Sequence, residues 1–153
     1  MITDNNIEIV EADLHNSEHA ENFLILTAAY MADPMGGEAV VWNEQQRKDV
    51  INTMKDHPCG LVLFAKVQEK FVGICTCFYA YSTFLAKPLM NIHDIYVEES
   101  ARGNGVGRQL VKAVGDIAAK KKCGKILLNM LLSSGFSNGN KIIKKLKTFV
   151  FKL

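Results

Sequence analysis

No stretch of the chain approaches the roughly 18 consecutive apolar residues that a membrane-crossing helix needs, although 48% of its 153 residues are hydrophobic. Dispersed in that way, they suffice for one substantial core and are too few for two, so residues 1–153 are read as a single domain. Cysteine is scarce. Cys59, Cys75, Cys77 and Cys123 are the only four, without the paired spacing of a zinc site or the density of a disulfide framework. Reduced, mostly packed thiols and no metal are expected. A basic and then apolar leader is also missing, since Met1 to Glu11 alternates acids with isoleucines. That pattern suits a soluble chain working in the cytoplasm, with no membrane partner. There is no internal repeat, and the one low-complexity stretch, Ser133 to Asn140, reads as a loop.

Acids are absent from the tail, where Lys141, Lys144, Lys145, Lys147 and Lys152 turn an otherwise acidic chain into one of net charge +2. Lys120 to Lys122 and Lys125 form a second basic cluster, at the end of an expected helix, where cations suit the helix dipole. Solvated helix ends explain both clusters. No aromatic residues are interleaved as stacking platforms, so nucleic acid is not an expected partner, whereas attraction of a polyanionic small molecule stays open.

What is present divides into short periodic runs. Ile7 to Val10 predicts a first strand, and Ser17 a cap for a helix to about Met31, ended by Asp33-Pro34-Met35-Gly36-Gly37. Asn43 and Gln46 form a capping-box pattern for a second helix through Val50, Ile51 and Met54. Leu61 to Val67 and Phe71 to Tyr81, separated by Gln68-Glu69-Lys70, predict an antiparallel hairpin, and Met90 to Glu98 a further strand. Val106, Leu110, Val114 and Ile117 then recur on one face of a helix that Gly124 ends. Lys125 to Leu132 predicts a strand, and Ile142, Ile143, Leu146 and Phe149 predict a last helix over Lys141 to Phe149. The fold class is α/β (α+β).

Between a strand and a helix lies Arg102-Gly103-Asn104-Gly105-Val106-Gly107-Arg108. Three glycines allow a tight turn with its N–H groups converging on one point, and the following helix adds unpaired N–H groups and the positive end of its dipole. That geometry suits a pyrophosphate. The dinucleotide fingerprint has different glycine spacing and no P-loop pattern occurs, so those readings are weak; a turn that merely connects two elements is the bland one.

Arg102 to Gly107 matches the Q/R-x-x-G-x-G/A signature of the GNAT superfamily of N-acetyltransferases, with Ile95-Tyr96-Val97 ahead and Leu110 behind. The element order resembles the same family over about residues 5 to 132. Lys87 to Val97 looks like its diamine (spermidine/spermine) branch. The resemblance implies a mixed, mostly antiparallel sheet flanked by helices, and acetyl-CoA as co-substrate. It implies that the main chain of Ile95, Tyr96 and Val97 pairs with the pantetheine arm, that Arg102, Gly103, Asn104, Gly105, Val106, Gly107 and Arg108 hold the pyrophosphate, and that Asn138 also touches the donor. The donor would sit in a splay between Met90 to Glu98 and Lys125 to Leu132, where a backbone N–H polarises the thioester carbonyl. The implied reaction is acetyl transfer to a primary amine of a small molecule, diamine-like or amino-acid-like.

A free aliphatic amine titrates near lysine, at about 10.4, and must lose a proton before it attacks. Strand alternation puts Ile92, Asp94 and Tyr96 on one face and His93, Ile95 and Val97 on the other, making Asp94 and His93 separate candidates for base or amine recognition. The polyamine branch has adjacent acids where this chain has His93-Asp94. Asp33, Glu38, Trp42, Tyr79 and Tyr81 lie where the family places substrate-facing elements. Downstream, the family pattern has an Asn and then a helical Tyr that protonates the departing thiolate. Asn138 fits the first; seven residues on stands Lys145, and no tyrosine follows Tyr96. The general acid is therefore missing, replaced by Lys145 or water, or supplied by another chain in a homodimer. A short or altered C-terminal arm is expected, and an impaired acyl-CoA-binding or sensor domain is the competing reading.

Overall fold

The computed structural model describes residues 6–34, 40–133 and 144–152. Six strands form one sheet in chain order, β1 (Ile7–Glu11), β2 (Gly60–Val67), β3 (Lys70–Ser82), β4 (Lys87–Val97), β5 (Lys125–Ser133) and β6 (Lys144–Lys152). Every neighbouring pair is antiparallel except β4 and β5. The helices are α1 (Ser17–Ala32), α2 (Glu44–Met54) and α3 (Val106–Lys120). A mixed, mostly antiparallel sheet flanked by helices is thus what forms.

Alternation in β2 shows how the two faces are built. Leu61, Leu63 and Ala65 pack with Val106, Leu110, Val114 and Ala118 of α3, while Val62 and Phe64 pack with Phe23, Leu24 and Leu26 of α1. Each face therefore carries its own apolar cluster with the sheet between. Asn43 caps α2 by the expected reciprocal pattern with Gln46. Asn16 rather than Ser17 caps α1, because its carboxamide reaches the N–H groups of both Glu18 and His19. Lys122, in a left-handed conformation at φ 58°, turns the chain out of α3 ahead of Gly124. A short 3₁₀ turn, Glu99–Ala101, stands between β4 and the glycine turn.

The largest departure from the sequence reading is at the end. The helix expected over Lys141 to Phe149 is instead strand β6 from Lys144 onward, paired with β5 along its whole length from Lys125↔Lys152 to Ser133↔Lys144. Apolar spacing there fits a short helix, yet Thr148-Phe149-Val150-Phe151 is β-branched and aromatic, and an open antiparallel edge of β5 supplies partners that a lone two-turn helix lacks.

Candidate active site

The parallel pair β4 and β5 is hydrogen-bonded over a short stretch only, Met90, Asn91 and Ile92 against Ile126, Leu127 and Leu128. Both strands continue, β4 to Val97 and β5 to Ser133, without pairing to each other. The sheet splits at that point. Glu98 donates its N–H to Val72 of β3, so alternation turns the N–H and C=O of Ile95 and Val97 toward the gap and those of Tyr96 toward β3.

The glycine turn follows β4, and a Cβ built on Gly107 would lie 3.8 Å from the Val97 side chain. Gly103 (φ 78°) and Gly105 (φ 85°) are both left-handed, a backbone state that costs other residues about 1–2 kcal/mol. Gly105 is the N-cap of α3, and the first bond into the helix is Gln109 N–H to Gly105 C=O, 3.0 Å. No backbone acceptor among the described residues takes the N–H groups of Gly103, Asn104, Gly105, Val106, Gly107 or Arg108. Asn104 folds its carboxamide back onto the carbonyls of Ala101 and Arg102, at 3.3 and 3.0 Å, which stiffens the turn. N–H groups arrayed in this way at a helix start are the kind that can receive an anion.

Arg102 does not join it. Its N–H is bonded to Glu99 C=O at 3.2 Å, and its guanidinium pairs with Asp33 at the end of α1, donates to Val97 C=O at 2.9 Å and lies 5.5 Å over the Tyr96 ring. The hydrogen bond to the Asp33 carboxylate raises the Arg102 pKa further, keeping it charged.

Strict alternation along β4 fails at one residue. Thr76 pairs with Asp94 and Cys77 with Ile92, which leaves His93 as an extra residue, a bulge. Ile92, Ile95 and Val97 consequently all pack on the α3 side, whereas Tyr96 packs on the α1 side. His93 and Asp94 therefore do not stand on opposite faces: the His93 ring meets Phe78 edge-on at 5.6 Å, and its Nε2 is 3.9 Å from Asp94 Oδ2. Burial raises the Asp94 pKa, and the neighbouring His93 only partly offsets this. Tyr30, in the last turn of α1, has its ring 6.0 Å from that of Tyr96, and its hydroxyl pKa is raised by burial, by Asp94 and by Asp33. Asn91 has a buried side-chain oxygen without a hydrogen-bond partner among the described residues. On β4, the strand that leads toward the glycine turn, Asp94 thus has His93 and Tyr30 as neighbours.

Residues 20–136 match the sequence pattern of the Acetyltransferase (GNAT) family. The chain belongs to that family. Among relatives, a thialysine N-epsilon-acetyltransferase of Bos taurus is 33% identical over 60 residues, 39% of this chain; the match covers 35% of that protein's length. Among solved structures, an aminoglycoside acetyltransferase from an uncultured soil metagenomic sample, in complex with sisomicin, superposes with a TM-score of 0.69 at 18% identity, covering 82% of this chain and 78% of the other. A transcriptional regulator of Bacillus halodurans superposes with a TM-score of 0.70 at 20% identity, covering 91% of this chain and 98% of the other. These structural likenesses establish the shared GNAT fold.

Of the other GNAT-pattern candidates, Asn138 and Glu38 lie outside the described residues. Lys145 lies in β6 opposite Leu132, across β5 from the gap. Trp42 packs in the α1-side cluster, Tyr79 lies beneath Lys121 at 5.9 Å, and Tyr81 is exposed. Tyr30 and Asn91 were missed by sequence reasoning. Neither carries a local signal: Tyr30 reads as an ordinary helix residue and Asn91 as a polar strand position.

Proposed function

We propose that this chain transfers the acetyl group of acetyl-CoA to a primary amine of a small molecule. The observation that carries the reading is the N–H array of Gly103 to Arg108, without backbone acceptors among the described residues, on the turn that follows β4 where β4 and β5 part, with a part-buried carboxylate on β4. Acetyl-CoA supplies an activated acyl group. The glycine turn would hold its pyrophosphate, and the backbone edge of Ile95 and Val97 would align the pantetheine arm as a strand aligns a peptide. Asp94, whose desolvated carboxylate takes up a proton more readily than an exposed one, would accept the proton that the ammonium must lose, with His93 beside it. Tyr30 stays protonated at neutral pH and can donate, as can water, toward the thiolate that departs. Asn91 offers its free oxygen to an N–H of the acceptor.

The thialysine relative supports an ω-amine of lysine-like or diamine-like form as the first acceptor to try. Thiol release from acetyl-CoA should be followed across diamines, lysine analogues, aminoglycosides and amino acids, with turnover expected for at least one class. Binding of acetyl-CoA without turnover on any amine would favour the acyl-CoA-binding or sensor reading. No binding at all would refute both.

A further inference from the structure

Arg102 opens the glycine turn, yet its side chain points the other way. Three separate contacts hold it there: the Asp33 carboxylate, whose side chain is 12% exposed, the Val97 carbonyl and the face of Tyr96. Asp33 is the C-cap of α1, and its own N–H bonds back to the carbonyls of Ala29 and Tyr30. One guanidinium therefore joins the end of β4 to the end of α1. What hangs from that end of α1 is Tyr30, whose ring rests against Tyr96 and whose phenol is close enough to Asp94 to feel its charge.

A planar, permanently charged fork suits this task, because it makes directional bonds to a carboxylate and a carbonyl at once while stacking on an aromatic face. Two charged groups this close to the gap would otherwise be free to engage ligands. Here they engage each other. From this we infer that Arg102 is a positioning residue for the acceptor amine: its side chain holds the last turn of α1 against β4, so that the Tyr30 ring stays against Tyr96 of β4, beside Asp94. The turn's backbone serves the donor and the side chain of its first residue organises the acceptor wall. The inference rests on the acetyl-transfer reading.

The test is a double-mutant cycle on the intact chain, with Asp33→Asn, Arg102→Gln and both together, read by thiol release for the acceptor and by calorimetry for acetyl-CoA. Asp33→Asn is expected to raise the acceptor KM roughly tenfold, with a smaller change in kcat and an unchanged Kd for acetyl-CoA. Arg102→Gln should raise the acceptor KM similarly, and the double variant no further than either. Arg102→Lys, which keeps the charge but loses the fork, should recover part of the loss and serves as the milder probe if a charge-removing variant folds poorly. Additive effects on KM, or an Asp33→Asn variant with unmoved KM beside an Arg102→Gln variant with weakened acetyl-CoA binding, would overturn the inference and return Arg102 to the donor side. A wild-type chain that turns over no amine overturns the acetyl-transfer reading and this inference with it; a wild type that turns over while the Asp33 variant matches it overturns only the role of Arg102.

Discussion

Asp94 is the base of the proposed reaction. Burial raises its pKa, so the folded chain binds that proton more tightly than the unfolded chain does. Ionising it costs stability: the cost is absent below the ordinary carboxylate value, about 3.9, and grows as pH rises through the raised folded value. Asp94→Asn is therefore expected to melt at a higher temperature than wild type at neutral pH, with the gap closing as pH falls below about 4. Acetyl transfer in the same variant should drop by about 10²–10⁴-fold, the usual contribution of a general base. Scanning calorimetry across pH together with the thiol assay checks both, and a lower melting temperature at pH 7 would mean that partners, not burial, dominate at Asp94.

The elements carry the geometry that places this residue. The His93 bulge brings His93 and Asp94 to one side, and Gly73 keeps β3 close to both β4 and α3. A Cβ built on Gly73 would stand 3.2 Å from Tyr96 O and 3.3 Å from side-chain atoms of Leu110 and Val106. Gly73→Ala should therefore cost about 1–3 kcal/mol in urea unfolding and displace Tyr96, with acceptor turnover falling more than the stability loss alone explains. The three helices, the β2–β3 hairpin and the glycine turn were legible because each is a local pattern, with a capping box, a period of 3.6 or an alternation of two. Asn16 as cap and Lys122 as the turn out of α3 lay one or two residues from the expected positions, since neighbouring residues could have served. The bulge was not legible, because it arises from the register of β4 against β3. β6 was misread as helix, because the strand that completes it lies in another part of the chain.

At the scale of the molecule, the split between β4 and β5 leaves a gap that, on the proposed function, a donor would close by supplying backbone partners to Ile95 and to the Val97 N–H. Ligand that binds only the folded chain stabilises it by about 2.7 kcal/mol at a hundredfold excess over Kd. For a domain of this size that is a rise in melting temperature of roughly 5–10 °C. Acetyl-CoA is expected to produce it, and Gly105→Asp to abolish it while the variant still melts cooperatively, because a carboxylate then stands in the turn proposed to hold the pyrophosphate. An equal shift in that variant would refute the assignment of the turn.

Taken by itself, the sequence determined the glycine turn: glycines at left-handed positions and a helix start without a side-chain cap are properties of consecutive residues. Tertiary structure alone decided which way Arg102 reaches, that Asp94 and His93 share a side, and that Tyr30 joins them. Those depend on the register between strands and on where α1 ends against β4, distances set by packing across the sheet and invisible to spacing along the chain.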